Sequence, residues 1–345
     1  MPRILTELEL NRALLARQLL LERSKLPIPR ALERVAGIQA QYAPSSYVGL
    51  WTRLARFGRA DLDRALRKRS VVQGTLMRAT IHLVSRGDYW PFALAVGEPL
   101  AEWFLRTTKQ THQRDQLMET DRRARAILAE GPRRRKELIE LLGGDPAVWR
   151  GVGLWTPLVR VPPSGTWDQR RADLYGVAED WLGPPSASRE EGVRHLIRRY
   201  LSGFGPASRD DIASFTRLPR AEVGAALQSM PVRTFRSGSD TTLFDVPRAP
   251  LPDPDTPAPP RFLPTWDATL LVHARRTGIL PERYRPAIFT SSNPQSFSTF
   301  LVDGRVAGTW RFDGRRIELD PFEPLPRRVR RDLEGEARML AALHA

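Results

Sequence analysis

Two glutamines one residue apart, Gln39 and Gln41, stand in "GIQAQYAPSSYVGLWTRL" (residues 37–54), a stretch that is otherwise largely apolar. Each amide has a carbonyl that accepts and an NH₂ that donates, so two aimed at one place can hold a water in a fixed orientation. Neither acts as a base at neutral pH. The pair therefore suits a reaction whose leaving group is already activated, in which a positioned water needs little deprotonation before it attacks. Residues i and i+2 share a face only in extended chain; on a helix they point roughly 200° apart. That chemistry requires extended or irregular backbone at 39–41, and the turn-like "YAPSSY" that follows allows it. The alternative is structural: both amides lie at the C-terminus of a helix and bond its free carbonyls. Spacing alone favours the alternative.

Other chemistries fall away. There is no cysteine, which removes disulfides, zinc–cysteine sites and thiol nucleophiles. The five histidines, His82, His112, His195, His273 and His344, never come within a helical turn of one another, so no metal site is expected. No glycine loop for phosphate and no nucleophile elbow is visible, and no cofactor is expected.

Lysine and arginine exceed the acids by 54 to 39, giving a net charge of +15, and only Lys25, Lys68, Lys109 and Lys136 are lysine. Such a balance points to a polyanionic partner, most simply nucleic acid, which arginine grips through bidentate phosphate contacts. GC-rich coding is an alternative account of arginine over lysine but does not explain the excess of base over acid. The start, "MPRILTELELNRALLARQLL", reads as an amphipathic helix, with no signal peptide or membrane span, so a cytoplasmic, nucleoid-associated protein is expected.

Elements that would position the glutamines follow from repeats. Residues 8–57, 122–175 and 192–247 each read as helices broken by short Gly/Pro turns, and the last two continue into a β-rich wing; the wing of the first is less evident. In the third, Ser208 and Asp211 form a capping box and Leu218-Pro219 starts the next helix. Eight prolines between 247 and 264 make an extended connector. Beyond it, Asp303-Gly304 and Asp313-Gly314 signal two-residue hairpins of a small antiparallel sheet or half-barrel, and "RRVRRDLEGEARMLAALHA" signals an amphipathic helix packed on it. The expected units are 1–120 with the glutamine pair, 121–190, 191–250, and 251–345.

The glutamine stretch resembles the AlkZ family of DNA glycosylases, whose hallmark is Gln-x-Gln in the AlkZ-like branch and Gln-x-Asp in the YcaQ-like branch. Similar words follow in order: "GTLMRATIHLVSRGDYW" (74–90), "SGTWDQRRADLY" (164–175), "GPASRDDIASF" (205–215), "RFLPTWDATLLVHARR" (261–276) and "LVDGRVAGTWRF" (301–312). The resemblance implies an α+β, mainly helical fold of tandem winged helix-turn-helix motifs with a β-barrel-like antiparallel sheet, C-shaped around a DNA channel. It implies hydrolysis of the N-glycosidic bond of N7-alkylguanine, including bulky natural-product adducts and interstrand crosslinks, as in DNA repair or antibiotic self-resistance. It makes Gln39 and Gln41 the catalytic residues. N7-alkylguanine is cationic and departs without strong acid assistance, so two neutral amides suffice. No lysine neighbours the motif to form a Schiff base, so no lyase activity is expected.

Further candidates are Arg78, Thr80 and His82 in "LMRATIHLV", which share one face if this is a strand: Arg78 as a phosphate or sugar contact, His82 as a site-lining donor. Arg170 and Arg171, and Arg311, Arg315 and Arg316, lie on two hairpins suited to wedging the duplex. Trp266, Asp267 and His273 would support the site, with Asp267 also a candidate N-cap. The expected partner is duplex DNA bound by a monomer. The rival is a winged-helix regulator or architectural protein that binds DNA without catalysis.

Overall fold

The computed structural model describes residues 2–108, 113–185, 187–271, 276–290 and 295–345. Helices and antiparallel sheets alternate along the chain, an α+β architecture. Helix Glu7–Arg17 opens at a capping box in which Thr6 accepts from the Glu9 backbone N–H and the Glu9 carboxylate accepts from the Thr6 N–H. Its polar residues do not face water as an amphipathic helix requires: Asn11, Arg12 and Arg17 are buried. Each has a distant partner: Asn11 donates to the Gly278 and Gly304 carbonyls, Arg12 to Asp303, and the Arg17 guanidinium to both Asp245 oxygens at 2.6 and 3.0 Å and to the carbonyls of Leu201 and Pro250. A buried charge is tolerated when its donors are satisfied in this way. The pair ties the N-terminal helix to a strand and connector more than two hundred residues away.

Three segments each run through helices into an antiparallel hairpin. The first has Ile28–Val35, Ala43–Arg53 and Arg59–Arg67, then strands Val71–Thr75 and Ile81–Ser85, a hairpin that lies beyond the segment in which its wing was sought. The second has Arg114–Ala129, Arg135–Leu141 and Pro146–Trp155, then Leu158–Arg160 and Leu174–Val177. The third has Arg189–Phe204, Arg209–Thr216 and Arg220–Ser229, then Arg233–Ser237 and Thr242–Asp245, with the capping box at Ser208 and Asp211 in place.

The first two hairpins merge. From one edge to the other a six-stranded sheet runs Ile38–Gln39, Ile81–Ser85, Val71–Thr75, Leu158–Arg160, Leu174–Val177 and Arg133–Arg134, crossing the 120/121 boundary expected from sequence. The third hairpin pairs in parallel with Ile4–Leu5 instead. Helix Arg86–Thr107 packs on Arg189–Phe204, and the largest core cluster includes Tyr89, Phe92, Phe104, Tyr200, Phe204 and Phe215. Each such side chain contributes about 1.5–3 kcal/mol by leaving water.

The C-terminal sheet is not barrel-like. Its strands Arg261–Leu263, Thr299–Val302, Arg305–Phe312 and Ile317–Pro321 lie in that order with the outer two unpaired to each other. Four strands are too few to close around filled side chains; helix Arg327–His344 covers the sheet instead, burying Leu333, Leu340 and Leu343 against Phe262, Phe300 and Trp310. Asp303-Gly304 makes the expected two-residue turn, with φ of 46° and 74°. The second turn is longer, spanning 313–316, because the Asp313 side chain accepts from the backbone N–H of Arg315 and Arg316 at 2.8 Å. The proline-rich connector ends where Arg261–Leu263 becomes an edge strand, a place where lost N–H donors do little harm. Among the described residues no helix is long and apolar enough to cross a membrane.

Candidate functional site

Helix Ile28–Val35 ends at Ala36 in left-handed backbone, φ 60°, followed by Gly37 at φ 82°. A Cβ on Gly37 would lie 2.9 Å from Val84 Cγ1, so both conformation and space demand glycine. These two residues turn the chain into strand Ile38–Gln39, which pairs antiparallel with Leu83 and His82. Gln39 and Gln41 therefore do not cap the helix. Gln39 is buried in the strand, and its Oε1 accepts from Arg78 Nη2 at 2.6 Å. Gln41 is exposed, and its Oε1 accepts from the Ile81 backbone N–H at 3.2 Å. Each amide is anchored through its oxygen, which fixes the donor end and leaves one oxygen lone pair for a further partner.

Arg78, Thr80 and His82 do not share one strand face. Met77–Ala79 is a tight turn between Thr75 and Ile81, with Arg78 and Ala79 both left-handed at φ 56° and 58°. Such backbone costs on the order of 1 kcal/mol or more per non-glycine residue and persists where its surroundings enforce it. Here it turns Arg78 inward onto Gln39, with the guanidinium carbon 4.4 Å from the Phe215 ring centroid. Arg78 thus lies behind Gln39 rather than on an exposed face suited to phosphate. Desolvation lowers its pKa to about 10, which leaves it charged at neutral pH, and its Nη1 is buried without a hydrogen-bond partner among the described residues. Thr80 closes the turn by donating from Oγ1 to the Met77 carbonyl at 3.1 Å.

His82 stands opposite Gln39 in the strand pair, fully buried, with Nδ1 3.0 Å from the Thr80 carbonyl. Burial, reinforced by the Arg78 charge, lowers its pKa to about 3, so it is neutral. A neutral ring donating from Nδ1 leaves Nε2 as a buried acceptor, and among the described residues that atom has no partner. Around the pair, then, lie an obligate cation, a neutral imidazole and, among the described residues, no carboxylate bonded to either glutamine.

Both arginine-bearing hairpins present their arginines to solvent. Residues 161–173 join two antiparallel strands and are pinned by Gln73, which donates to the Gly165 carbonyl at 2.9 Å, and by buried Trp167. Arg170 donates to the Tyr42 hydroxyl at 3.0 Å and Arg171 is exposed. On the second hairpin Arg311 pairs with Glu318 at 2.5 Å, Arg316 lies 3.5 Å from Asp313, and Arg315 is exposed. Asp267 N-caps the short turn at Thr269, as its sequence suggests, and also holds buried Arg53 through two 3.0 Å contacts, locking helix Ala43–Arg53 against the C-terminal region. Trp266 is partly buried against Phe289. His273 lies outside the described residues. Phe215, under Arg78, was invisible to sequence reasoning, since nothing in "DDIASF" marks it as other than core. Among the described residues no three His, Asp or Glu side chains gather to hold a metal.

A family profile described as DNA glycosylase AlkZ-like matches residues 32–343. A relative from Streptomyces sahachiroi, an interstrand DNA cross-link repair glycosylase, is 23% identical over 359 residues, spanning 94% of this chain and 93% of the relative. The structure of Streptomyces sahachiroi DNA glycosylase AlkZ superposes with a TM-score of 0.82 at 18% identity, covering 99% of this chain and 98% of that one. The shared fold and a match that takes in the glutamine strand and the C-terminal helix make this chain a member of the AlkZ-like DNA glycosylase family.

Proposed function

We propose that the protein is a monofunctional DNA glycosylase that hydrolyses the N-glycosidic bond of N7-alkylguanine, with Gln39 and Gln41 holding the attacking water. The observation that carries this is the pair itself: two amides anchored by their oxygens at one strand edge, with no carboxylate or imidazole among the described residues bonded to them. A cationic N7-alkylguanine departs with its electron pair, so the enzyme need only steady an oxocarbenium-like sugar and deliver water. The water adds to C1′, its proton passes to solvent, and an abasic site remains. The relative's cross-link repair extends the proposed substrates to bulky adducts and crosslinks. Arg170 and Arg171 on one hairpin, and Arg311, Arg315 and Arg316 on the other, would meet DNA phosphates from exposed turns of winged-helix and C-terminal units arranged along a channel. Incubation with duplex containing N7-methylguanine, followed by alkali, should reveal strand breaks at the damaged position. Intact base at stoichiometric enzyme, with no bulkier N7 adduct released either, would leave the DNA-binding rival standing.

A further inference from the structure

A cleft of about 350 Å³ is lined by Tyr42, the residue that follows Gln41 in the chain. Tyr42 and Phe297 form its walls, and they are 43% and 46% exposed, two of only seven large hydrophobic side chains so exposed among the described residues. Its floor is aromatic as well: Phe312 stacks on His344 at 4.5 Å, and His344 meets Trp167 edge-on at 5.1 Å. Arg170 and Arg311 stand on the lining, Arg170 already fastened to the Tyr42 hydroxyl. The hydroxyls of Ser45 and Thr265 bond each other at 2.8 Å, and the Trp310 indole donates to the Leu263 carbonyl. Little polar capacity is left to read the edge of an occupant. What remains includes the Ser298 hydroxyl and His344 Nε2, which is buried and has no partner among the described residues, on a ring that burial first and then Arg170 and Arg59 lower to a pKa of about 4.

Aromatic faces flanked by two guanidinium groups match a planar ring joined to an anion. We propose that the cleft takes an unpaired nucleotide of the DNA, stacking its base between Tyr42 and Phe297 while Arg170 and Arg311 meet its phosphates. It does so with little regard to base identity, because stacking accepts any base. The volume suits one nucleotide rather than a longer segment. This rests on the DNA-glycosylase reading and adds to it a site for an extrahelical nucleotide, distinct from the damaged base that the glutamines attack.

The test uses undamaged DNA, so that it does not depend on excision. A duplex carrying one bulged 2-aminopurine and its fully paired counterpart are titrated with the full-length protein, following both affinity and 2-aminopurine fluorescence. The bulged duplex should bind about tenfold more tightly, with quenching of the probe. Tyr42→Ala and Phe297→Ala should each abolish that preference and the quenching, leaving affinity for paired duplex unchanged. Replacing the bases around the bulge should alter affinity less than about threefold. Equal affinity for bulged and paired DNA, or quenching that survives both substitutions, overturns the proposal. So does faster excision of an N7-naphthylmethyl adduct than of N7-methylguanine without any bulge preference, since the cleft would then serve the adduct. Release of N7-methylguanine or of a bulkier N7 adduct in the same preparation separates the two readings: release of neither with quenching retained refutes the glycosylase proposal alone, and release with quenching absent refutes the cleft alone.

Discussion

Arg78 offers the sharpest test of how the glutamine pair is set. Its guanidinium donates to Gln39 Oε1 at 2.6 Å from a turn whose two left-handed residues hold it there. A hydrogen bond to a charged group contributes about 1.5–3 kcal/mol, and this one is made by a guanidinium that lies over the Phe215 ring. Arg78→Met keeps much of the side-chain volume and removes the donor, so Gln39 is no longer held in one rotamer and one amide orientation. If the transition state requires that orientation, the lost interaction translates to roughly a 10- to 100-fold slower reaction, each 1.4 kcal/mol being tenfold. The assay is single-turnover release of N7-methylguanine from duplex at saturating enzyme, alongside DNA affinity at several salt concentrations and thermal melting. The expected outcome is slower release with affinity and its salt dependence unchanged. Release within twofold of wild type, with only the melting temperature reduced, would make Arg78 a packing residue. A uniform loss of affinity, with the salt slope reduced by about one, would restore the phosphate contact that the sequence suggested.

Gln39→Ala and Gln41→Ala should each slow excision while DNA binding stays near wild type; unchanged excision in both ends the assigned role. Because glutamine does not titrate and the His82 pKa lies at about 3, single-turnover excision should stay level from pH 5.5 to 8.5, and an inflection near 6.5 would reveal a titrating histidine. His82 also sets acid stability. Below about pH 6.5 the unfolded chain gains a proton that the folded chain refuses, so stability is complete above that pH and falls by up to about 1.4 kcal/mol per unit toward pH 3. Urea unfolding of His82→Phe at pH 7.5 and pH 5 should show about 2 kcal/mol less loss than wild type, whereas equal losses would place the acid sensitivity elsewhere. Asp267→Ala should destabilise by about 3–5 kcal/mol by stranding buried Arg53, and Arg53→Met combined with Asp267→Leu should recover most of it.

Periodicity and turn chemistry made much of the fold legible. Ser208 with Asp211, the Asp303-Gly304 turn and the proline run all encode their structures within a few residues, and each stands where its local chemistry requires. Two features were hidden for one reason: they depend on partners distant in sequence. The helix Glu7–Arg17 reads as amphipathic because nothing near Arg17 discloses Asp245, which converts a charged face into a buried one. The C-terminal sheet reads as barrel-like because strand signals count strands but do not say whether the first and last meet; the helix Arg327–His344 occupies the face instead.

At the site, the gap between sequence and structure lies in one turn. "LMRATIHLV" holds no glycine or asparagine, so its alternation reads as continuous strand, and that reading sends Arg78 outward toward phosphate. The left-handed pair at Arg78 and Ala79 breaks the alternation and brings a guanidinium beneath an uncharged amide. A cation there cannot accept a proton from water, yet it can hold the carbonyl of Gln39 and raise the electron demand of its NH₂ end. Desolvation, with that same cation, keeps His82 neutral, so this imidazole is too weak a base to take up a proton at any pH the cell meets. A site assembled in this way is poor at pulling protons and well suited to orienting a neutral water. It should therefore act on bonds that are already weakened by a positive leaving group and leave unmodified guanine in place, which mass spectrometry of released bases from undamaged DNA would check; release of unmodified guanine would contradict it.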